Sequence, residues 1–179
     1  MGVTVTNIVA GPATLYRAPF GTAEPATADA TPGVGWVDLG GTDGGARMVV
    51  SQTYTPLTVD QVGMAVGTRK TDQQVTIATS LAETTLQNLS IVLNQGTPTG
   101  DSLELDAEIG NEEPDYSAIM LVGQRPGGGN RLVIIRRALS TESVEMAWVK
   151  DGKTMIPVTF TGYYVSPSVS AIKIDDTEA

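Results

Sequence analysis

Nearly all the residues that could do acid–base or metal chemistry in this 179-residue chain are carboxylates, because it contains no His and no Cys. A Ser-His-Asp triad, a thiolate nucleophile, a disulfide and the usual nitrogen/sulfur zinc site are thereby excluded. Glu112, Glu113 and Asp115 stand close together, as a carboxyl pair working on a glycosidic bond would require. Sugar sites usually add aromatic platforms, and the chain has only two Trp, five Tyr and two Phe. Trp148 falls in register with Val144 and Met146, which assigns it to core packing. The stretch from Asp101 to Asp115 could offer oxygen ligands to calcium, but Asp106 stands where an EF-hand loop needs its sharp-turn glycine. Glu104, Asp106 and Glu108 instead alternate with Leu103, Leu105, Ala107 and Ile109, the pattern of a strand with one solvated acidic face. The clusters Gly40–Gly45 and Gly127–Gly129 lack the Lys and Ser/Thr of a phosphate loop and open no helix, so they are assigned to turns. No catalytic constellation, cofactor site or metal site is expected.

Charge narrows the partners. Twenty acids against eleven bases give a formal net charge of −9. Nine of those acids lie between Lys70 and Arg125, where there is no base, so that one segment carries the whole net charge. Such a balance repels nucleic-acid phosphates and argues against dedicated DNA binding. The opening Met1-Gly2-Val3-Thr4-Val5-Thr6 fits the loose myristoylation pattern, but no basic cluster follows to supply a second anchoring signal. It is assigned to an ordinary first strand, with no signal peptide, bilayer-spanning segment or membrane anchor expected.

The elements that must position these residues are mostly strands. Twenty-three Thr and nineteen Val favour pleated surfaces, and twenty Gly and ten Pro supply turns. Residues 1–179 read as one mainly-β domain. Ala13–Arg17 is a short strand. Residues 18–35, rich in Ala, Pro, Thr and Gly, form a loop that stays flexible unless a neighbour holds it. Trp36–Leu39 is extended, and residues 47–79 form a long hairpin with arms Arg47–Gln61 and Thr68–Thr79. One helix is expected over 80–94: Ser80 and Glu83 form a capping box, Ala82, Leu86, Leu89 and Leu93 make its apolar stripe, and Asn94-Gln95-Gly96 ends it. Tyr116–Arg125 and Arg131–Leu139 flank a glycine-rich hairpin loop. Ser143–Lys150 and Lys153–Val165 flank Asp151-Gly152, a strong two-residue hairpin signal, and Ser168–Ile174 is the last strand.

The stretch from Trp36-Val37-Asp38-Leu39-Gly40 through Thr53-Tyr54-Thr55-Pro56-Leu57-Thr58-Val59-Asp60-Gln61 to Gly67-Thr68-Arg69-Lys70 carries a resemblance. Together with Leu81-Ala82-Glu83-Thr84-Thr85-Leu86-Gln87-Asn88-Leu89, its order and wording resemble the major tail (tail tube) proteins of long-tailed, non-contractile bacteriophages. The resemblance implies a β-sandwich or barrel with one flanking helix. It further implies six copies in a ring, and rings stacked into a tube around the tape-measure protein, with tail terminator and tail-tip proteins as further partners. DNA would be met only in transit. The chain would be found in the virion tail, and in the host cytoplasm during assembly. In that family the extended hairpin joins neighbouring subunits, which points to Gln52, Tyr54, Thr55, Pro56, Asp60 and Gln61 as inter-subunit contacts. The other reading of the residues is a monomeric β-sandwich virion decoration or glycan-binding module, in which the same arms pack on their own subunit.

Overall fold

The structure is a computed structural model and describes residues 2–105 and 113–178. Its strands are β1 (Thr14–Pro19), β2 (Val37–Asp38), β3 (Thr42–Val59), β4 (Val62–Leu81), β5 (Ser117–Gln124), β6 (Asn130–Ser140), β7 (Ile156–Gly162) and β8 (Ile172–Asp175), with one helix, α1 (Leu86–Leu93). They form one antiparallel sheet in the order β2-β1-β5-β6-β7-β4-β3. β6 is long enough to serve two partners along the edge opposite β5. Leu132 to Ile135 pair with β8, and Ala138 to Ser140 pair with β7.

Burial explains why the sheet is organised around β5 and β6. Ala118, Ile119 and Met120 are all buried, as are Leu132 to Ile135, so alternate residues serve two cores on opposite faces. One core gathers Leu15, Ile119, Ile135 and Ala138 with Val75, Ile77 and Leu81 of β4, Ile156, Val158 and Phe160 of β7, and Ile91 and Val92 of α1. The other gathers Ala18, Ala118, Met120, Leu132 and Ile134 under Ala28 and Trp36. Thus the 18–35 segment lies over the second face, held by contacts within its own chain. Trp36 Nε1 donates to Ala23 O at 2.9 Å, and Glu24 pairs with Arg136 at 2.5 Å.

The C-terminal residues strap this covering segment down. The Ala28 amide donates to Thr177 O at 2.9 Å, and Arg131 grips both carboxylate oxygens of Asp176 at 2.8 and 2.6 Å. Arg125 also pairs with Glu178. The Arg131 guanidinium holds the Asp176 carboxyl below the ordinary carboxylate range.

The helix begins later than its sequence signals suggest. Ser80 is a ladder residue of β4, paired with Asp43 and Pro157, and cannot also cap a helix. Thr85 caps instead, its hydroxyl accepting the Asn88 amide at 3.1 Å. Glu83 turns its carboxylate to the Gly41 amide at 2.9 Å, and Gly40, with φ 81°, leaves the space that carboxylate occupies. Asn94, in the left-handed region at φ 55°, ends the helix where the sequence placed its end. Asn88 is buried, donating to Leu39 O at 3.0 Å and Glu83 O at 2.8 Å, which ties the helix to both flanking turns.

Three further expectations are corrected. Val3–Thr6 joins no described strand; an exposed 3₁₀ turn at Val5–Asn7 stands in its place, and Thr6 O accepts the Gly127 amide at 2.9 Å. Gly44 and Gly45, each with φ 77°, form an irregularity inside β3 rather than a turn before it. Ser143–Lys150 is not a strand, although Asp151-Gly152 does turn the chain. β4 takes one edge of β7 from Ile156 to Thr161 and β6 takes Phe160–Gly162 on the other, which leaves only Ile156–Thr159 for a hairpin partner. Val144 and Met146 still pack against the first core, but Trp148 points away from it and is 77% exposed.

Two outcomes follow. A Cβ at Gly162 would overlap Val75 Cγ1 and come within 2.9 Å of Ile135 Cγ2, where β6, β7 and β4 converge. Gly162→Ala should therefore lower unfolding free energy by about 1–3 kcal/mol, read from urea midpoints at unchanged slope. Acid should loosen the tail before the core. A depressed carboxylate stabilises the fold above its unfolded pKa and stops doing so as pH falls through its folded pKa. Below about pH 4 the amide of Ala28 should thus lose protection in hydrogen exchange while β5 keeps its own.

Candidate functional site

The most distinctive surface is the outer part of the β3–β4 hairpin. β7 accompanies β4 only from Thr76 to Leu81, so outward from Val50 and Val75 the two strands have only each other. About ten further residues on β3, at roughly 3.3 Å each, carry the arm some 30 Å from the body. The sequence supports this geometry. β3 is the edge of the sheet, where Pro56 can sit without breaking a central ladder, and Asp60-Gln61 closes the turn between the paired Val59 and Val62. Irregularities at Thr53/Tyr54 and Leu57/Val59 twist the arm and break up its flat edge.

All six hairpin residues singled out in the sequence lie on this exposed arm. Near its middle the Tyr54 hydroxyl donates to Gln52 Oε1 at 2.6 Å, while Gln52 Nε2 and Lys70 Nζ both donate to Gln73 Oε1, at 3.2 and 2.6 Å. The Thr55 and Thr71 hydroxyls meet across the strands at 3.3 Å. Pro56 pairs with Thr68 further out, and Asp60 and Gln61 occupy the tip. The structure therefore joins Gln52 and Tyr54 in one network and leaves Asp60 and Gln61 remote from it.

Sequence reasoning began the second arm at Thr68 and so missed its outer part. Val62, Met64 and Val66 are strand residues there, and Met64 is 79% exposed. Leu57 and Val59 on the facing strand are exposed as well. The alternation in Val62-Gly63-Met64-Ala65-Val66 was a strand signal, masked by its two glycine neighbours. An apolar, two-stranded ribbon of this length is marginal in water and gains stability from a covering surface.

The acidic stretch is only partly placed. Glu104 is exposed on a segment outside any strand, and its carbonyl lies against Gly96. Asp106 and Glu108 lie outside the described residues. Arg17, Glu104 and Asp115 line one polar recess beside α1, where Arg17 Nε donates to Ser117 Oγ at 2.9 Å. Burial lowers the Arg17 pKa, and the nearby Asp115 charge opposes that shift. Among the described residues no three carboxylates gather into a potential metal site. No described helix is long and apolar enough to cross a membrane.

Fold and surface together define a mainly-β protein whose distinguishing feature is a projecting two-stranded arm. The chain belongs to the phage tail tube family: the family model described as phage tail tube protein matches residues 4–171. No curated protein matches the chain. Membership gives it a structural role in the tail tube and places it in the virion tail. The family match agrees with the resemblance carried by the sequence, which covers about residues 1–175 and is most specific over 36–93.

In the unassembled subunit, amides from Thr53 to Lys70 should exchange at least a hundredfold faster than those of Ile77 to Leu81, measured by hydrogen–deuterium exchange at neutral pH. Comparable protection in both would mean the arm is stable without a partner.

Proposed function

We propose that the chain assembles into hexameric rings that stack into the tail tube of a long-tailed, non-contractile phage, a conduit for DNA delivery. The observation that carries this reading is the arm: some 30 Å of two-stranded ribbon with exposed Val50, Leu57, Val59, Val62, Met64 and Val66. A subunit working alone has no use for such a surface, whereas ring closure and stacking cover it and satisfy the free edge of β3. Gln52, Tyr54, Thr55, Pro56, Asp60 and Gln61 are the inter-subunit contacts in this reading. Tyr54 contributes a rigid amphipathic ring, and Asp60 a tip charge for the next subunit.

The tube would form in the host cytoplasm around the tape-measure protein and be closed by tail terminator and tail-tip proteins. Its role is structural and non-enzymatic, with no cofactor. Six copies at −9 each carry −54 per ring, which suits a channel that DNA crosses without adhering.

Electron microscopy of the purified protein, alone and with the tape-measure protein, tests the proposal. Rings or tubes are expected, and a strictly monomeric protein at high concentration under both conditions refutes it. Tyr54→Ala and Asp60→Arg should each cut polymer yield severalfold and shift the thermal midpoint of the free subunit by no more than about 2 °C. Normal polymerisation of both variants would remove the arm from the contact.

A further inference from the structure

We propose that Trp148 of one subunit seats in a small apolar pocket of a second copy, a knob-and-hole contact distinct from the arm. The proposal rests on the self-assembly proposed above and names a surface that the arm does not supply.

The knob is unusual on physical grounds. Trp is among the most strongly buried residues on average, yet Trp148 is 77% exposed and its neighbour Val149 is also exposed. Val144 and Met146 anchor the same run to the first core, so the indole is presented on a fixed base. Rigid, half-apolar aromatics of this kind are the commonest anchors of protein interfaces.

The hole lies on the other side of the sheet. Ala118, Ile134 and Trp36, all from the second core, form its floor, and Phe20, Val165 and Val169 its apolar walls. Its volume is about 250 Å³. That falls below the range of about 300–1,000 Å³ usual for small-molecule sites and suits a single large side chain.

Its polar groups favour an indole over the other exposed apolar side chains. Arg136 is held along its edges, by Glu24 through Nε and Nη2 at 2.5 and 3.1 Å and by Ser170 through Nη1 at 2.6 and 2.7 Å. Arg136 lines the pocket and its side chain is about one-fifth exposed, so the part of the guanidinium that meets the opening can contact an aromatic ring. Glu24 retains lone pairs able to accept an indole N–H. Met64 or a valine from the arm could fill the volume but would answer neither group, and the Tyr54 hydroxyl is already given to Gln52 Oε1.

Knob and hole sit over opposite cores, so one subunit presents what the next receives. A contact between two different patches of one chain is heterologous. It propagates from copy to copy and closes into a ring when the rotation permits.

The chain has no Cys, so introduced cysteines report without background. Trp148→Cys and Val169→Cys chains, mixed, assembled and oxidised, should form a disulfide-linked dimer containing one of each. The chain carrying both substitutions should form a covalent ladder. Trp148→Ala, at an exposed position, should melt like the parent while raising the concentration needed for assembly about tenfold or more. If the parent assembles but no mixed disulfide forms and Trp148→Ala assembles like the parent, this contact is refuted and self-assembly stands. A Trp148→Cys disulfide to Met64→Cys in place of Val169→Cys also refutes it, by assigning Trp148 to the arm. A parent that never assembles overturns self-assembly itself, and this contact with it.

Discussion

A pair of central strands buried on both faces is the constraint from which the rest of this structure follows. β5 and β6 carry unbroken apolar runs, so neither face can be left to water. One face is covered by structure that the sheet itself supplies, β4 and β7 curving round with α1 laid across. The other is covered by a segment with almost no regular structure, which must be fastened by Trp36, by the Glu24–Arg136 pair and by the last residues of the chain. Order in the loop and order in the tail are therefore one problem, solved by the same handful of contacts.

Much of this was legible in the sequence, for identifiable reasons. The β5–β6 hairpin, the long arm and the helix end at Asn94 each rest on local chemistry: glycine turns, alternating side chains, a residue that tolerates a left-handed backbone. The failures occur where two local signals compete or a distant strand decides. Ser80 and Glu83 make a good capping box, but Ser80 is also the last-but-one residue of a strand paired on both edges, and the two ladders prevail. Ser143–Lys150 alternates well enough for a strand but meets only a short free edge of β7, Ile156–Thr159. Trp148 was assigned inward by register with Val144 and Met146, an inference valid only if those residues lay on a strand. As for the arm, its existence was legible and its apolar outer third was not, because the glycines around Met64 hid the alternation.

Function in a tail tube protein is carried by surfaces rather than by a cleft, which suits a chain whose sequence offers so little reactive chemistry. With no His and no Cys, its capacity for specificity lies in shape, in apolar patches and in charge. Such patches include the arm, the pocket over the second core, the indole beyond the first, and the N-terminal Val3, Val5 and Ile8. The acidity is concentrated in sequence rather than spread, so most of the molecule is close to electrically balanced and free to approach copies of itself.

The arm is also a lever. At about 30 Å, a rotation of only five degrees at its base displaces its tip by nearly 3 Å, close to the full width of a hydrogen bond. Subunits could repeat identically along a filament only if that base is held to a degree or two. The stiffness comes from the short stretch, Thr76 to Leu81, where β4 is gripped on one side by β3 and on the other by β7. The close packing of Gly162 against Val75 sits at the fulcrum, so the aim of the far tip depends on a missing methyl group at its root.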